Sequence, residues 1–320
     1  MLRSMSDLRR LPTIFLFAFV GCTQTEPQGP AVYVDNPAAI DPVKTLSISM
    51  VDVGQGDGLV LVTPSGTVIA LDGGPDRTGN YASFLAQKNI TRVDYVILSH
   101  AHSDHYTGLG TPIAMLPKDC TPRVFDPGFD RPEVSGYTYI RSVAGCRYAT
   151  LTQNQTLALD PAVELQVMGV AKAPFPENDS TGINNTSAVI RLRYGAFSML
   201  FTGDAETEAE KNIHAQFGNS LQANILKVGH HGSCNSTATT FLRAVAPSYA
   251  LISAGNQNDF GHPHCQVVGK LRNAGVHFYR TDTNGNVTVT TDGKVFSVAA
   301  QKSAVDLGTC PRNCAFPTDF

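Results

Sequence analysis

The chain has 320 residues, of which 42% are hydrophobic and 16% are charged, and its formal net charge at pH 7 is −3. This composition is ordinary for a soluble globular protein with a sizeable core. The sequence has no run of Lys and Arg, so we do not expect a protein dedicated to tight binding of long nucleic acids. An enzyme that binds nucleic acid only transiently while cutting it is still compatible with this composition. No segment approaches the length of a transmembrane helix, which argues against a channel.

The first 22 residues have the pattern of a secretory signal. A basic start precedes the apolar run 11–20, which at about ten residues is too short to span a bilayer. Gly21 before Cys22 resembles a bacterial lipobox, in which the cysteine carries a lipid and becomes the mature N-terminus. The alternative is a chance cysteine in a cleaved peptide. We therefore expect a protein exported to the bacterial periplasm or cell surface, with Cys22 as its membrane anchor.

Residues 23–44 are rich in proline and polar side chains, a composition that suits a tether. The folded domain is predicted over residues 45–300, and residues 301–320 form a C-terminal tail that contains the sequence CPRNC. Removal of residues 1–21 would change the formal net charge from −3 to −5, because it removes three arginines and one aspartate.

Six cysteines remain when Cys22 is set aside, and an even number in an exported protein indicates disulfides. The spacing lacks the paired C-x2-C pattern of a structural zinc site. Buried thiols are the alternative if the protein is not exported. The expected pairs are Cys120–Cys146, Cys234–Cys265 and Cys310–Cys314.

Short strands with tight turns are predicted from Leu46 onward. An alternating stretch at 46–53 is followed by the glycine-rich turn 54–58, and a helix is plausible over residues 80–89. An apolar stretch at 93–99 predicts a buried strand. Residues 118–182 are rich in Pro, Gly and Asp, and we expect loops and short strands that form a rim around a substrate site.

Strands and helices alternate in the second half of the chain. Two strand-rich halves, each followed by helices, favour an α/β fold in which two sheets pack together with helices outside. The predicted elements are strands at 187–194, 197–201, 224–228, 249–253 and 276–279, helices from about 205 and at 237–244 and 264–274, and a terminal hairpin at 286–299.

The string His100-Ala101-His102-Ser103-Asp104-His105 follows the buried strand and offers four metal-binding side chains. Alternating residues at a strand end point the same way, roughly 6–7 Å apart, so His100 and His102 can close on one ion. Asp104 and His105 are free to face a second ion. The alternative is a solvated polar loop, but such a loop does not require this spacing of metal-binding side chains.

Three further motifs fall at predicted strand ends. Asp204 in TGD supplies a carboxylate that could bridge two cations, although Gly-Asp turns are common without any such role. His230 and His231 follow an apolar strand and have glycines on both sides. His262 lies in GHPH, where one histidine could instead cap the following helix or pack within the domain.

These motifs together resemble the metallo-β-lactamase superfamily, and in particular the soluble domain of ComEC-type DNA-uptake proteins. The matching pieces are VDVGQGDGLVLVTPSGTVIALDGGP, LSHAHSDHYTGL, FTGDAE, KVGHHGS, NDFGHPH and HFYRTDTNG, in the family's order over residues 46–292. The resemblance implies a metallo-β-lactamase-type αββα sandwich, with two mixed β-sheets flanked by helices and metals at one edge between the sheets.

The resemblance also implies roles for individual residues. His100 and His102 would bind a first divalent ion, Asp104, His105 and His231 would bind a second, and Asp204 would bridge the two. Three other residues are expected behind these ligands or at the substrate: Asp72, His230 and Asn185. His262 would lie near the departing group.

One departure from the superfamily pattern concerns the first ion. No histidine lies between His105 and Asp204, and an Asn-rich segment at 184–187 stands there instead, as in ComEC-like sequences. We therefore expect a first site that is richer in oxygen ligands and open to manganese as well as zinc. The missing histidine also argues against lactam hydrolysis of the usual kind.

The chemistry that follows is hydrolysis of a phosphodiester by a metal-activated hydroxide, because two cations can meet the two non-bridging oxygens. Asp104 would orient the hydroxide, and a protonated His262 would donate to the leaving oxygen. The expected partners are a phosphodiester or another small ester-like substrate, DNA in transient contact, and the membrane through Cys22, with no obligatory protein partner. The alternatives are an ester, lactone or lactam hydrolase of the same fold, and a non-enzymatic lipoprotein module in DNA uptake.

Overall fold

A computed structural model describes residues 29–128, 135–170 and 180–303. In chain order the strands are β1 (Val32–Tyr33), β2 (Leu46–Met50), β3 (Gly58–Val62), β4 (Val68–Gly73), β5 (Tyr95–Ile97), β6 (Val124–Asp126), β7 (Tyr148–Thr150), β8 (Thr156–Leu157), β9 (Glu164–Gly169), β10 (Val189–Tyr194), β11 (Phe197–Phe201), β12 (Ile225–Lys227), β13 (Tyr249–Ile252), β14 (His277–Arg280), β15 (Val287–Thr291) and β16 (Val295–Ala300). The helices are α1 (Asn80–Gln87), α2 (Ser103–Tyr106), α3 (Gly110–Ala114), α4 (Ser135–Ala144), α5 (Ser180–Asn184), α6 (Thr207–Phe217), α7 (Thr239–Val245), α8 (Cys265–Asn273) and α9 (Thr281–Asn284).

The strands form two mixed sheets. The first has the order β1-β16-β15-β2-β3-β4-β5-β6-β7, and the second has the order β14-β13-β12-β11-β10-β9-β8. In the first sheet β4 to β7 run parallel, whereas β2, β3 and β4 are antiparallel neighbours. In the second sheet β11 to β14 run parallel. The carboxyl ends of both parallel sets are where loops can bring functional side chains together.

Three apolar clusters show how the layers stack. One cluster contains buried side chains of both sheets, among them Ile48 and Met199, and it fills the space between the sheets. A second joins the outer face of the second sheet to helices α6, α7 and α8, as with Leu226 and Phe241. A third joins the outer face of the first sheet to α1, α3 and α4. Because adjacent residues of a strand face opposite sides of the sheet, each sheet contributes side chains both to the layer between the sheets and to the layer beneath the helices. The predicted αββα sandwich is confirmed.

The C-terminal part of the predicted tether, residues 29–44, is structured. Val32 and Tyr33 pair in parallel with β16, and the ring of Tyr33 stacks on Tyr249 with centroids 4.6 Å apart. Two short 3₁₀ turns follow at Pro37–Ala39 and Pro42–Lys44. Residues 29–44 therefore lie against the folded domain, because even a short strand gains hydrogen bonds and aromatic contacts at an open sheet edge. Residues 23–28, with the signal segment and Cys22, lie outside the described residues.

The region predicted as a rim of loops is more regular than expected. Strands β6 and β7 extend the first sheet, β8 and β9 extend the second, and helix α4 was not predicted. In α4 the buried side chains of Ile140 and Ala144 lie one helical turn apart and pack on the first sheet. Parallel strands need such crossovers, which sequence composition alone does not reveal.

The described cysteines agree with two of the expected pairs. Cys120 and Cys146 form a disulfide. Cys234 and Cys265 are both disulfide-bonded cysteines, consistent with the second expected pair. The third expected pair, Cys310–Cys314, lies outside the described residues. Within the described ranges, no helix has the length and apolarity that crossing a membrane requires.

Candidate metal centre

The candidate centre lies where the carboxyl ends of β4, β5, β11 and β12 face one another. His100 and His102 follow β5, and His102 immediately precedes α2, which carries Asp104 and His105. Asp204 follows β11, and His231 follows β12. The predicted ligands therefore come from both sheets, and the fold brings them close together.

The first group of metal-binding atoms comprises His100, His102 and Asp204, whose ligand atoms all lie within 4.8 Å of one another. Nε2 of His100 is 3.0 Å from Nδ1 of His102 and 3.8 Å from Oδ2 of Asp204. His100 is fully buried, and burial together with the neighbouring His105 lowers the pKa of its imidazole well below the ordinary value. The ring is therefore neutral, which is the form that binds a cation.

The second group contacts the same carboxylate oxygen of Asp204. Its Oδ2 atom lies 3.2 Å from Nε2 of His105 and 3.2 Å from Nε2 of His231, and Oδ2 of Asp104 is 3.4 Å from the same His231 nitrogen. Asp104 is the more open of these ligands, with 29% of its side chain exposed. Asp204 therefore belongs to both groups of candidate ligands, and its role as a bridge between two ions stays a prediction.

Unpartnered polar atoms test whether these residues fit a metal ion. Among the described residues, Nε2 of His105, Nε2 of His231 and Oδ1 of Asp204 are buried without a hydrogen-bond partner. Such atoms are costly to bury unless something satisfies them. Two imidazole nitrogens and a shared carboxylate are ligands that divalent transition metals prefer. The donor set therefore fits a divalent cation in the second group and, through His100 and His102, one in the first.

Asp72 lies behind His105, as predicted. Its Oδ2 atom is 2.9 Å from Nδ1 of His105, and both carboxylate oxygens accept hydrogen bonds from Ser99, at 2.7 Å from the backbone nitrogen and 2.6 Å from the hydroxyl. Asp72 adopts a φ of 54°, which is unusual for a residue other than glycine. The strained backbone holds a carboxylate that fixes the orientation of a ligand.

Asp57 was missed by the sequence prediction. It lies close enough to His105, Asp204 and His231 to be grouped with them as a possible ligand. However, its Oδ1 atom is 3.3 Å from Nδ1 of His231, on the opposite side of the ring from Asp204. The same nitrogen has the carbonyl oxygen of Ser253 as its hydrogen-bond partner at 3.0 Å, and Asp57 adds a charged contact to it. We therefore assign the orientation of His231 to Ser253 together with Asp57. Its only sequence signal is its place in the GQGDG turn.

That turn also explains one glycine. The backbone nitrogen of Asp57 donates to the carbonyl oxygen of Asp104 at 3.2 Å. A Cβ atom on Gly56 would collide with that same carbonyl, and Gly56 has a φ of 137°. Only glycine permits this approach, which brings Asp57 beneath the metal-binding loop.

Lys227 is a second residue that the sequence did not assign. Its ammonium is buried, forms an ion pair with Asp57 and donates to the carbonyl oxygen of Gly203 at 3.0 Å. Nζ also lies 4.0 Å from Oδ1 of Asp204. A buried lysine needs such partners, and here it compensates part of the negative charge of the site.

The protonation of the site reflects its carboxylates. Burial opposes the charged form of His105 and His231, but Asp204 and the neighbouring acids outweigh it and raise the pKa of both imidazoles well above the ordinary value. For Asp204 burial favours the neutral acid, but His105 and His231 outweigh it, so the pKa of the carboxyl is lowered well below its usual range. The cluster therefore attracts positive charge, whether as protons or as metal cations.

His262 lies beside the cluster in a state that differs from the predicted one. Its ring is buried, with its centroid 6.1 Å from that of His231, and Nδ1 is 3.4 Å from Nε2 of Gln55. Burial and the neighbouring histidines lower the pKa of His262 to about 2. The protonated His262 expected as a proton donor is therefore disfavoured in this environment.

His230 lies next to His262, with 5.2 Å between the ring centroids, and it also contacts the asparagine segment through Asn184. Nδ1 of His230 is 3.0 Å from Oε1 of Glu206, and Nε2 is 3.8 Å from Oδ2 of Asp204. Asn184 donates to Oε1 of Glu206 at 2.8 Å. In contrast, Oδ1 of Asn185 accepts from the backbone nitrogens of Glu206 and Ala209, so this side chain holds the beginning of α6.

Residues 67–235 match a protein family described as the β-lactamase superfamily domain. The chain is 31% identical over 263 residues to ComE operon protein 3 of Bacillus subtilis (strain 168), covering 75% of this chain and 32% of that protein. It is 28% identical over 251 residues to competence protein ComA of Neisseria gonorrhoeae, covering 76% and 32%. The chain thus spans about a third of the length of these curated relatives. The metallo-β-lactamase fold protein YhfI from Bacillus subtilis gives a TM-score of 0.48 at 12% identity, over 75% of this chain and 96% of that one.

Proposed function

The chain belongs to the β-lactamase superfamily and has the two-sheet metallo-β-lactamase architecture, and from this premise we propose that it is a metal-dependent phosphodiesterase. The observation that carries the proposal is the convergence of two buried ring nitrogens without hydrogen-bond partners, Nε2 of His105 and Nε2 of His231, on Oδ2 of Asp204. Nε2 of His100 approaches the same oxygen, and His102 lies next to His100. This arrangement supports a pair of cations that share one carboxylate.

A phosphodiester suits this donor set better than a lactam does. Two cations held about 3.5–4 Å apart can each meet one of the two non-bridging phosphate oxygens. The first group has two imidazoles and a shared carboxylate, and Asn185, in the segment that stands where many relatives have a histidine, is engaged with α6. Zinc and manganese both accept such mixed nitrogen and oxygen ligands.

A bound divalent cation would lower the pKa of a coordinated water to roughly 7 and so supply a nucleophile at neutral pH. Asp104 is the acidic ligand open to solvent, and it would orient the attacking group. Asp57 and Asp72 fix the rings of His231 and His105 from behind. His262 is neutral in its buried position, so it would donate a hydrogen bond to the leaving oxygen and not a full proton.

The test uses the full-length chain stripped of metal by a chelator and then titrated with Zn²⁺ or Mn²⁺. We expect up to two ions bound per chain by elemental analysis, and turnover of bis(p-nitrophenyl) phosphate. Asp204→Asn should lose metal binding and turnover, whereas Glu208→Gln, on the exposed face of α6, should keep metal binding and turnover. Hydrolysis of lactones, carboxylic esters or lactams without any phosphodiester would overturn the proposal in favour of the alternative hydrolase. Tight metal binding with no turnover of any substrate would favour a binding module in DNA uptake.

We also propose that the protein acts outside the cytoplasm, attached to the membrane through Cys22. The Cys120–Cys146 disulfide supports export, because disulfides persist in oxidising compartments. Expression of the full chain in a bacterial host with labelled fatty acid should label the wild-type protein and not Cys22→Ser. Labelling of both variants, or of neither, would contradict the anchor. DNA is proposed as a transient substrate only, and no obligatory protein partner is proposed.

A further inference from the structure

A cleft of about 530 Å³ opens beside the metal centre. Asp104 lines one part of it and Phe260 lines another, with Gln55, Arg77 and Gln257 among the residues between. Pockets for small ligands have volumes of roughly 300–1,000 Å³. The cleft therefore has room for one substrate group next to the reacting phosphate.

Phe260 presents an aromatic ring to this cleft. With 59% of its surface exposed, it is the most exposed aromatic side chain among the large hydrophobic residues of the described chain. Its ring lies nearly parallel to that of His262, with an angle of 20° between the planes and 5.6 Å between the centroids. One part of the phenyl ring is thus supported by a buried residue of the site, while the rest stays accessible.

The loop that carries Phe260 is held in a fixed conformation. The side-chain amide of Asn258 donates to the carbonyl oxygens of Gly255 and His262, at 2.8 and 2.6 Å. The backbone nitrogen of His262 returns a bond to Oδ1 of Asn258 at 2.9 Å. The backbone that carries the ring is therefore set before a ligand arrives, which reduces the entropy lost on binding.

The charges of the cleft limit the length of the substrate. Asp76, Asp104 and Asp259 line it, and Arg77 is the one Lys or Arg among its lining residues. A long polyanion would meet repulsion from the carboxylates and few phosphate contacts. A single phosphodiester held by the metal ions, with a flat uncharged group beside it, has no such penalty.

We infer that Phe260 is a stacking platform for a nucleobase, so that the site prefers a short nucleotide phosphodiester and engages DNA only transiently. This inference rests on the proposed phosphodiesterase function and specifies its substrate class. Stacking of a base on an aromatic side chain is tolerant of sequence, because every base has a π-face. Phe260 would thus determine specificity through substrate binding, whereas the reacting phosphate would be held at the metal centre.

Binding can be tested apart from turnover, because the chain contains no tryptophan. Phe260→Trp in the full-length zinc-loaded protein introduces a single indole into the cleft. We expect guanosine 5′-monophosphate to quench its fluorescence saturably and ribose 5-phosphate to leave it nearly unchanged. Val43→Trp, at an 81% exposed position outside the cleft, controls for collisional quenching and absorption of light by the nucleotide. Equal quenching by the two ligands, or no saturable quenching, would overturn the inference.

Kinetics provide the second test. Thymidine 5′-p-nitrophenyl phosphate and ethyl p-nitrophenyl phosphate share a leaving group and differ in the base. For Phe260→Ala we expect the loss in kcat/KM on the thymidine ester to exceed the loss on the ethyl ester by roughly 5- to 100-fold, mainly through KM. Phe260→Tyr should recover most of this difference. Equal losses on both esters would mean that Phe260 only supports His262, and would overturn the inference. Saturable quenching without any phosphodiester turnover would refute the proposed function and leave the base-binding site standing.

Discussion

Nδ1 of His105 lies 2.9 Å from Oδ2 of Asp72, while Nε2 of the same ring faces Asp204 at 3.2 Å. A carboxylate at Nδ1 fixes which nitrogen carries the proton and leaves the other free for a cation. We therefore expect Asp72 to contribute to metal binding without touching the ion.

The first prediction concerns this pair. In Asp72→Asn the amide cannot accept from both Ser99 and His105 as the carboxylate does. We expect the affinity for Zn²⁺ to fall roughly 10- to 100-fold, measured by competition with a chromogenic chelator. Asp119→Asn removes an exposed carboxylate that pairs with Arg123 and should keep the wild-type affinity. Equal affinity in Asp72→Asn and the wild type would contradict the role of Asp72.

The second prediction concerns the buried ion pair of Lys227 and Asp57. Lys227→Met removes the closest cation of the buried Asp57 carboxylate, and the loss of one partner from a buried ion pair typically costs about 3–5 kcal/mol of unfolding free energy. Urea denaturation of the metal-free protein should show this loss. Lys44→Met, at a side chain that is 68% exposed, should change stability by no more than about 0.5 kcal/mol. A loss in Lys227→Met that is as small as in Lys44→Met would show that the pair contributes little. The double variant Lys227→Met with Asp57→Asn should recover part of the loss, because no unpaired charge then remains buried.

The third prediction separates two roles for Asn185. The structure has its Oδ1 atom accepting from two backbone nitrogens at the start of α6, so Asn185→Ala should lower the unfolding free energy by about 1–3 kcal/mol. The number of bound metal ions should stay unchanged by elemental analysis. A variant of unaltered stability that has lost one ion would instead make Asn185 a ligand.

The fourth prediction concerns the pH dependence of stability. Burial raises the pKa of Glu210 to about 8, against an ordinary value of 4.5, although the backbone nitrogens of Thr237 and Ala238 donate to its carboxyl. Between these two pH values the folded protein keeps a proton that the unfolded chain has released. The free energy of unfolding therefore falls as pH rises through this window, by at most about 1.4 kcal/mol per unit.

Glu210→Gln removes that proton linkage. Urea denaturation at several pH values should show that the free energy of unfolding of the wild type, minus that of the variant, decreases as pH rises from about 5 to about 8. Glu208→Gln, on the exposed side of the same helix, should give a profile parallel to that of the wild type. A difference between wild type and Glu210→Gln that is constant with pH would contradict a raised pKa for Glu210.

Residues close together in the sequence were the predictable part of the site. His100, His102, Asp104 and His105 fall within six residues after one strand, so local geometry alone brings them together. Asp204 and His231 each follow an apolar strand, and parallel strands present their carboxyl ends at a common edge. The predicted sheets follow from the same alternation of apolar residues.

The unpredicted residues depend on contacts between distant segments. The sequence indicates a turn carboxylate at Asp57 and a strand lysine at Lys227. Only the contact between the turn before β3 and strand β12, which belong to different sheets, joins them. Asn184 and Asn185 are neighbours with the same side chain, yet one faces Glu206 and the other holds α6. Helix α4 and the edge strand β1 were missed for a related reason, since long-range packing overrides local composition.

The position of Asp204 between histidines from both halves of the chain has a consequence for how the protein matures. His100, His102 and His105 reach it from the first sheet, while Asp204 and His231 belong to the second. Neither half alone holds the whole candidate donor set, so we expect metal uptake to await the docking of two segments that lie about a hundred residues apart in sequence. Capture of the ion would then lock the halves together, as a late step that reports on correct assembly.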